Sequence, residues 1–251
     1  MRPLMPLFVF LVMLILIAPA CTKEEVRRLG KGILEEMSEA RVIVLMHGFD
    51  ISSSQSSGAG DDTGMHKLLK LLEGEAPSHI TVVAKVFGPF EQDEAVAFLN
   101  MKNPKFANIS PKKTEIILIG HSMGGYSVVD VADRLSEANT TVDKMVQIDP
   151  YRLYETAACQ PANVVVGLTY FQEDDWAWFD GKWCESDDAI DIDVKLHFPE
   201  SDDFLDSLEF DEQPLCWTHI GMDDCPPLHQ EVKAFVFDGT IPTSPGVSSP
   251  P

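Results

Sequence analysis

The chain has 251 residues, of which 45% are hydrophobic, and this length and composition suit one α/β domain with a sizeable core. It carries 40 acidic against 19 basic residues, which gives a formal net charge of -21. Because nucleic acids and anionic membrane surfaces attract Lys and Arg, this charge argues against both as partners.

The N-terminus resembles a targeting segment. Arg2 precedes an apolar run over residues 7–18, which is too short to cross a bilayer comfortably. A small-residue cleavage pattern at 18–20 is followed directly by Cys21. The segment predicts an exported protein, either a periplasmic or cell-envelope lipoprotein lipidated at Cys21 or an ordinary secreted protein. An uncleaved anchor is the third alternative.

The chain then alternates apolar and amphipathic stretches. Apolar runs without a polar face predict buried strands over 41–48, 79–87, 114–120, 143–150 and 162–172. Helical periodicity lies between them over 65–74, 91–102 and 124–138. This alternation predicts a mostly parallel central sheet with helices on both faces.

The later part of the chain departs from this pattern. Residues 173–212 hold 16 acidic residues against Lys182 and Lys195, which predicts a small acidic insertion. Within it, residues 189–198 alternate with period two and predict a sixth strand. We expect a signal peptide over 1–20, a tether or leading helix over 21–40, the α/β domain over 41–238 and a disordered Pro/Ser-rich tail over 239–251.

The most informative stretch is "IILIGHSMGGYSVVDVADRL", residues 116–135. Gly120 to Gly124 match G-x-S-x-G, with a strand-like run before the motif and a helix-like run after it. Such a turn would raise the Ser122 hydroxyl above the sheet at a helix N-terminus, which favours developing negative charge. The simpler interpretation is a tight turn without chemistry.

In this context the segment resembles the nucleophile elbow of the α/β-hydrolase superfamily, and "GHSMGG" is a form found among its lipases and esterases. The similarity covers roughly residues 41–236. It includes "VIVLMHGF", because lipases of this superfamily carry His-Gly at the end of an early strand. The resemblance implies Ser122 as nucleophile and an oxyanion hole formed by the backbone N–H groups of Phe49 and Met123. It gives His47 a structural role.

The family order of nucleophile, acid and histidine leaves three histidines after Ser122. His219 lies in a loop just before the last predicted helix, where this family places its base, and we favour it. We interpret His197 as a strand residue within the apolar alternation, and His229 as lying near the start of the last helix. Both remain alternatives.

Two positions could supply the triad acid. Asp149 directly follows a predicted strand and precedes Pro150, as in the Asp-Pro of pancreatic-type lipases, and we favour it. The more usual place in the superfamily is one strand later, where Glu173, Asp174 and Asp175 follow residues 162–172. That acidic run can also be read as a solvated loop.

The remaining cysteines suggest an oxidising compartment. In an exported chain Cys159, Cys184, Cys216 and Cys225 permit two disulfides. By proximity we predict the pairs Cys159–Cys184 and Cys216–Cys225, with buried free thiols as the alternative. No cysteine or histidine spacing suggests a zinc site.

The favoured interpretation is therefore a carboxylic ester hydrolase, a lipase or esterase, with a Ser122–His219–Asp149 triad. It requires no cofactor or metal. Its partner would be a small-molecule or lipid ester, with membrane attachment only through the lipid anchor. The alternatives are a catalytically silent hydrolase-fold binding protein, a thioesterase or acyltransferase with the same triad, and an unrelated fold. The sequence does not indicate an oligomeric state.

Overall fold

The structure is a computed structural model and describes residues 39–48, 64–100, 113–151, 159–172, 189–198 and 222–243. Six strands lie in these ranges: β1 Glu39–Met46, β2 Ile80–Phe87, β3 Lys113–His121, β4 Lys144–Ile148, β5 Gly167–Phe171 and β6 Ala189–Asp193. Five helices accompany them: α1 Gly64–Gly74, α2 Gln92–Asn100, α3 Met123–Glu137, α4 Val194–His197 and α5 Pro226–Asp238. None of these helices is long and apolar enough to span a membrane.

The six strands form one sheet in the order β2-β1-β3-β4-β5-β6, and all its strand pairs are parallel. The predicted fold class is confirmed. Strands such as β1 are apolar along almost their whole length because both faces of the sheet are covered.

Two hydrophobic clusters cover the two faces of the sheet. Helices α1 and α5 pack over one face, with Leu68 and Val232 among their buried residues. Helices α2 and α3 pack over the other face, with Ala95 and Val131 buried there. Right-handed crossovers explain this division. The connection from β1 to β2, which contains α1, moves toward the β2 edge of the sheet. The connections from β2 to β3 and from β3 to β4, which contain α2 and α3, move toward the β6 edge, so these two helices lie on the other face.

The direction in which successive strands are added to the sheet reverses between β1 and β3, although the strands themselves are parallel. The chain leaves β1 toward one edge, through α1 to β2, and later returns to pair β3 with the other side of β1. In open α/β sheets the crevice outside the carboxyl ends of two such strands is the usual place for a ligand site. Gly48 follows β1 and Ser122 follows β3 at this point.

Residues 189–198 differ from the prediction of one continuous strand. The strand ends at Asp193 and the short helix α4 follows. Asp193 Oδ1 accepts a hydrogen bond from the Leu196 N–H, and the Phe198 N–H donates to the Val194 carbonyl, so the chain coils after Asp193. The strand therefore covers only half of the stretch, although the alternation of apolar residues continues to Phe198. Most of the predicted acidic insertion lies outside the described residues.

Buried charges connect the strands near the amino end of the sheet. Arg41 Nε lies 2.9 Å from Glu115 Oε2, and the two side chains are almost fully buried. Lys144 Nζ lies 3.6 Å from the same oxygen and donates to the Val236 carbonyl of α5. Glu115 thus stands between two cations that belong to neighbouring strands.

Replacing Glu115 by Ala should destabilise the protein, because it removes the buried partner of Arg41 and leaves the part-exposed Glu39, 2.9 Å from Arg41 Nη2, to compensate the charge. We expect a loss of about 3 kcal/mol in the free energy of unfolding, the low end of the range for a broken buried pair because Glu39 remains, measured by urea denaturation. The exposed pair Arg134–Asp93 provides the control, and Asp93→Ala should cost less than about 1 kcal/mol. Equal losses in the two variants would contradict this account.

Candidate active site

Ser122 occupies a strained turn between β3 and α3. Its φ of 54° and ψ of -124° lie in a region that residues with a side chain rarely adopt. Three hydrogen bonds hold this backbone: the Ser122 N–H donates to the Ile148 carbonyl at 2.9 Å, and the Ser122 carbonyl accepts from the Gly125 and Tyr151 N–H groups. The strain is therefore imposed by the sheet and the start of the helix together.

The three glycines around Ser122 each allow a close approach of backbone. A Cβ at Gly120 would lie 2.2 Å from the Gly124 carbonyl oxygen, inside the turn itself. A Cβ at Gly124 would lie 2.1 Å from the carbonyl oxygen of Met46, at the end of β1. A Cβ at Gly125 would lie 2.9 Å from Pro150 Cβ. The "GHSMGG" pattern thus fits α3 against the ends of β1 and β4.

The end of β1 lies against the serine. A Cβ at Gly48 would stand 2.8 Å from Ser122 Cβ and 3.2 Å from Ser122 Oγ, so a glycine at this position lets the backbone lie directly against the serine side chain. His47 Nδ1 donates to the Gly48 carbonyl at 2.6 Å, which turns this ring onto its own backbone. The His-Gly pair after β1 therefore lies next to the turn that contains Ser122.

A parallel sheet that reverses direction between β1 and β3, with a strained serine turn after β3 and the following helix packed on β1, is the architecture described for G-x-S-x-G hydrolases. The chain has the α/β-hydrolase fold. The described part of this fold places two of the predicted site groups together, Ser122 and the Met123 N–H. As the first residue of α3, Met123 has an N–H that no carbonyl of its own helix can accept. Phe49 lies outside the described residues.

Asp149 lies at the end of β4, the strand that pairs with β3, the strand leading to Ser122. It follows β4, has a φ of 43° and is fully buried. Its Oδ1 accepts from the Gln172 backbone N–H at 3.4 Å and its Oδ2 accepts from Gln172 Nε2 at 3.2 Å. Because the Ser122 N–H bonds to the adjacent Ile148 carbonyl, the carboxylate and the hydroxyl belong to neighbouring positions on one edge of the sheet. The alternative acids Glu173, Asp174 and Asp175 lie outside the described residues.

Of the three candidate histidines, the favoured His219 lies outside the described residues, as does the lipidation candidate Cys21. His197 is in α4 and not in a strand. Its Nε2 lies 2.7 Å from Glu231 Oε1, and its ring packs edge-on to Phe198. His229 is in the first turn of α5, where its Nε2 donates to the Asp223 carbonyl at 2.8 Å. The Nε2 atom of each histidine is thus engaged with α5 or the turn before it.

Burial shifts the pKa of four groups in the described residues, and one of them is Asp133 on α3, whose pKa is raised. The other three lie on β5, β6 and α5. Burial lowers the pKa of His229, which favours the neutral ring with its proton on Nε2. It raises the pKa of Tyr170, whose hydroxyl donates to Glu231 Oε2. It also raises the pKa of Asp191 to about 6, although a hydrogen bond from Thr169 opposes this change.

Gln172 is a site residue that the sequence reasoning did not single out. It directly follows β5, and its side-chain amide and backbone N–H both donate to Asp149. The usable signal was its position, because a residue after a parallel strand lies at the same edge as residues after the neighbouring strands. Among the described residues no group of three or more His, Cys, Asp or Glu side chains could hold a metal ion.

No model of a protein family and no curated protein matches the sequence. Solved structures that resemble the chain include a cutinase-like protein from Cryptococcus sp., with 18% identity and a TM-score of 0.29 over 44% of this chain and 53% of that protein. A lipase-esterase related protein from Clostridium acetobutylicum has 20% identity and a TM-score of 0.27, over 44% and 42% of the two chains. Est1E from Butyrivibrio proteoclasticus has 11% identity and a TM-score of 0.30, over 53% and 68%. The chain spans about half the length of the first two proteins.

Replacing Gly124 by Ala should disturb both the fold and the site, because the new methyl group would collide with the Met46 carbonyl. We expect the free energy of unfolding to fall by about 1–3 kcal/mol. Reactivity of Ser122 toward a fluorophosphonate should fall with it. Gly74 ends α1 and has open space around its Cβ position, so Gly74→Ala is the matched control and should leave both measurements almost unchanged. A wild-type labelling rate in Gly124→Ala would contradict the proposed contact.

Proposed function

We propose that the protein is a serine hydrolase that cleaves carboxylic esters through an acyl-enzyme. The observation that carries this proposal is the position of Ser122. Its strained backbone lies at the switch point of a parallel sheet, and the chain after β1 lies against its side chain at Gly48. Backbone strain of this kind persists only where the surrounding structure enforces it, and it clusters at functional sites.

In the proposed reaction His219 takes the proton of Ser122 as Oγ attacks the ester carbonyl. The tetrahedral intermediate collapses when the same imidazole gives that proton to the leaving alcohol. Water then attacks the acyl-enzyme, again with His219 as base, and releases the carboxylic acid and the free serine. Every step uses only side chains, backbone and water.

The oxyanion would rest on the N–H groups of Phe49 and Met123. Met123 begins α3, so its N–H points out of the helix N-terminus, where negative charge is favoured. Phe49 follows Gly48, which already lies beside the Ser122 side chain. One donor of this kind contributes about 2.7–4 kcal/mol to stabilisation of the transition state.

Asp149 is the proposed partner of the imidazole. A buried carboxylate needs hydrogen-bond donors, and Gln172 supplies two. Gln172 holds the carboxylate in one orientation at the edge that carries Ser122. In the triad, Asp149 would select the imidazole tautomer and stabilise the imidazolium.

Export of the protein belongs to the same proposal. Cys159 and Cys225 are both disulfide-bonded, and disulfides persist in oxidising compartments. The predicted partners Cys184 and Cys216 lie outside the described residues, so the pairing remains a prediction. Lipidation at Cys21 would add the only membrane attachment that we propose.

Ser122→Ala should abolish the hydrolysis of p-nitrophenyl esters, because it removes the nucleophile without altering the backbone. The measurement compares the two proteins over acyl lengths from acetate to palmitate, with circular dichroism to confirm that both are folded. The profile of the wild-type protein would separate esterase from lipase.

The same proteins should be treated with a fluorophosphonate probe, which reports the nucleophile independently of the ester. Labelling of Ser122 without ester turnover would favour a thioesterase or acyltransferase. A folded wild-type protein that neither labels nor turns over any ester would refute the hydrolase and favour the silent binding protein.

Asp149→Asn should lower kcat by about 10⁴, because an amide would hold the wrong imidazole tautomer. Asp174→Asn and Asp175→Asn are the matched controls and should change kcat only a few-fold. Steady-state kinetics on one p-nitrophenyl ester decide between them. A loss in Asp174→Asn or Asp175→Asn that exceeds the loss in Asp149→Asn would move the acid to the later strand.

A further inference from the structure

Asp223 lies in the turn before α5 and reaches the beginning of a helix far from it in sequence. Its Oδ2 accepts a hydrogen bond from the Gly64 backbone N–H at 3.0 Å. Gly64 is the first residue of α1, so its N–H has no acceptor within its own helix, and a carboxylate at this end is favoured by the helix dipole. Asp223 therefore caps α1 across a separation of 159 residues.

The second carboxylate oxygen faces the residue before the nucleophile. Asp223 Oδ1 lies 3.7 Å from His121 Nδ1, and both side chains are largely buried. His121 Nδ1 in turn lies 3.4 Å from the position of a Cβ at Gly48. The His121 ring is thus placed between Asp223 and the glycine that lies against Ser122.

The backbone of Asp223 is also held tightly. Its carbonyl accepts from His229 Nε2 at 2.8 Å, and the lowered pKa of His229 favours the neutral ring that donates this bond. A Cβ at Gly64 would lie only 1.7 Å from the same carbonyl oxygen and 2.6 Å from Asp223 Cγ. Asp223 therefore packs directly on the Gly64 backbone, and a side chain at position 64 would displace it.

These contacts join the described ends of three parts of the chain. Gly64 ends the stretch that begins after Gly48 and includes Phe49, and Met222 ends the stretch that includes His219. His121 precedes Ser122. We propose that Asp223 is a positioning residue. Through His121 it holds the serine turn in a fixed position relative to the start of α1 and the turn before α5. This inference rests on the proposed hydrolase function.

The adjacent Asp224 offers a control of the same chemistry in the same turn. Its Oδ1 lies 2.9 Å from Lys67 Nζ, and both side chains are exposed. Asp224 thus contacts α1 at an exposed lysine side chain, whereas Asp223 contacts the backbone of the first residue of α1 and the His121 ring. A role in anchoring α1 in general would be common to both residues, and a role in positioning the elbow belongs to Asp223 alone.

The experiment compares Asp223→Ala, Asp223→Asn and Asp224→Ala with the wild-type protein. The end point of fluorophosphonate labelling counts folded sites, its rate constant reports the reactivity of Ser122, and steady-state kinetics separate kcat from KM. For Asp223→Ala we expect kcat and the labelling rate to fall by roughly tenfold to a hundredfold, with KM nearly unchanged, because small displacements of reacting groups have effects of this size. Asp224→Ala should keep both rates.

Asp223→Asn preserves the shape of the side chain and an oxygen for the Gly64 N–H, so it should keep the melting temperature but still label more slowly. It decides the question if Asp223→Ala does not fold. Wild-type rates in a folded Asp223→Asn and Asp223→Ala would overturn the positioning role and leave the hydrolase proposal standing. Failure of the wild-type protein itself to label would instead overturn the hydrolase proposal, and the role of Asp223 with it.

Discussion

The site depends on the close approach of two pieces of backbone, the end of β1 and the first turn of α3. Gly124 meets the Met46 carbonyl with no room for a side chain, and Gly48 meets Ser122 in the same way. Because β1 and β3 are paired in one register, this contact fixes how far each strand end projects beyond the sheet. The position of Ser122 Oγ beside Gly48 and the placement of the donors at the start of α3 follow from that one contact.

The neighbouring strands hold this arrangement through buried polar groups. Gln147 on β4 donates to the Gly125 carbonyl at 3.1 Å, inside the first turn of α3. Thr169 on β5 lies beside Gln147 in register and reaches its Oε1 at 3.5 Å. At the end of the same two strands Gln172 orients Asp149. Polar groups that are buried and satisfied favour one arrangement over others, so these strands fix the orientation of the elbow as well as supporting it.

The sequence indicated the parallel sheet and the serine turn because both leave local signatures. Buried strands are apolar runs of characteristic length, and close backbone contacts require glycine, so "GHSMGG" could be read directly. Asp149 was favoured from its place after a strand and from the resemblance of its Asp-Pro pair to that of pancreatic-type lipases; it does follow β4, and its role as the acid stays a prediction. The role of Gln172 was not predicted, because it depends on which strands become neighbours. The helical turn at His197 was missed because the period-two alternation continues to Phe198, whereas the strand itself ends at Asp193, where the carboxylate accepts a hydrogen bond from the Leu196 N–H.

The contacts of Asp223 illustrate what no local pattern contains. Its partners His121 and Gly64 lie about a hundred residues or more away along the chain, and only the tertiary fold brings them together. Because the chain contains 40 acidic residues, its composition gives no reason to single out one aspartate in a turn. The surroundings of Asp223 distinguish it from Asp224, which has the same chemistry and an exposed lysine partner.

The positive φ of Ser122 has a consequence for the balance between stability and reactivity. A backbone of φ 54° and ψ -124° is unfavourable for any residue that carries a Cβ, by about 1–3 kcal/mol, and is open to glycine. A chain selected for stability alone would therefore gain from glycine at position 122. Ser122 thus carries a side chain at a position where the backbone conformation alone favours glycine.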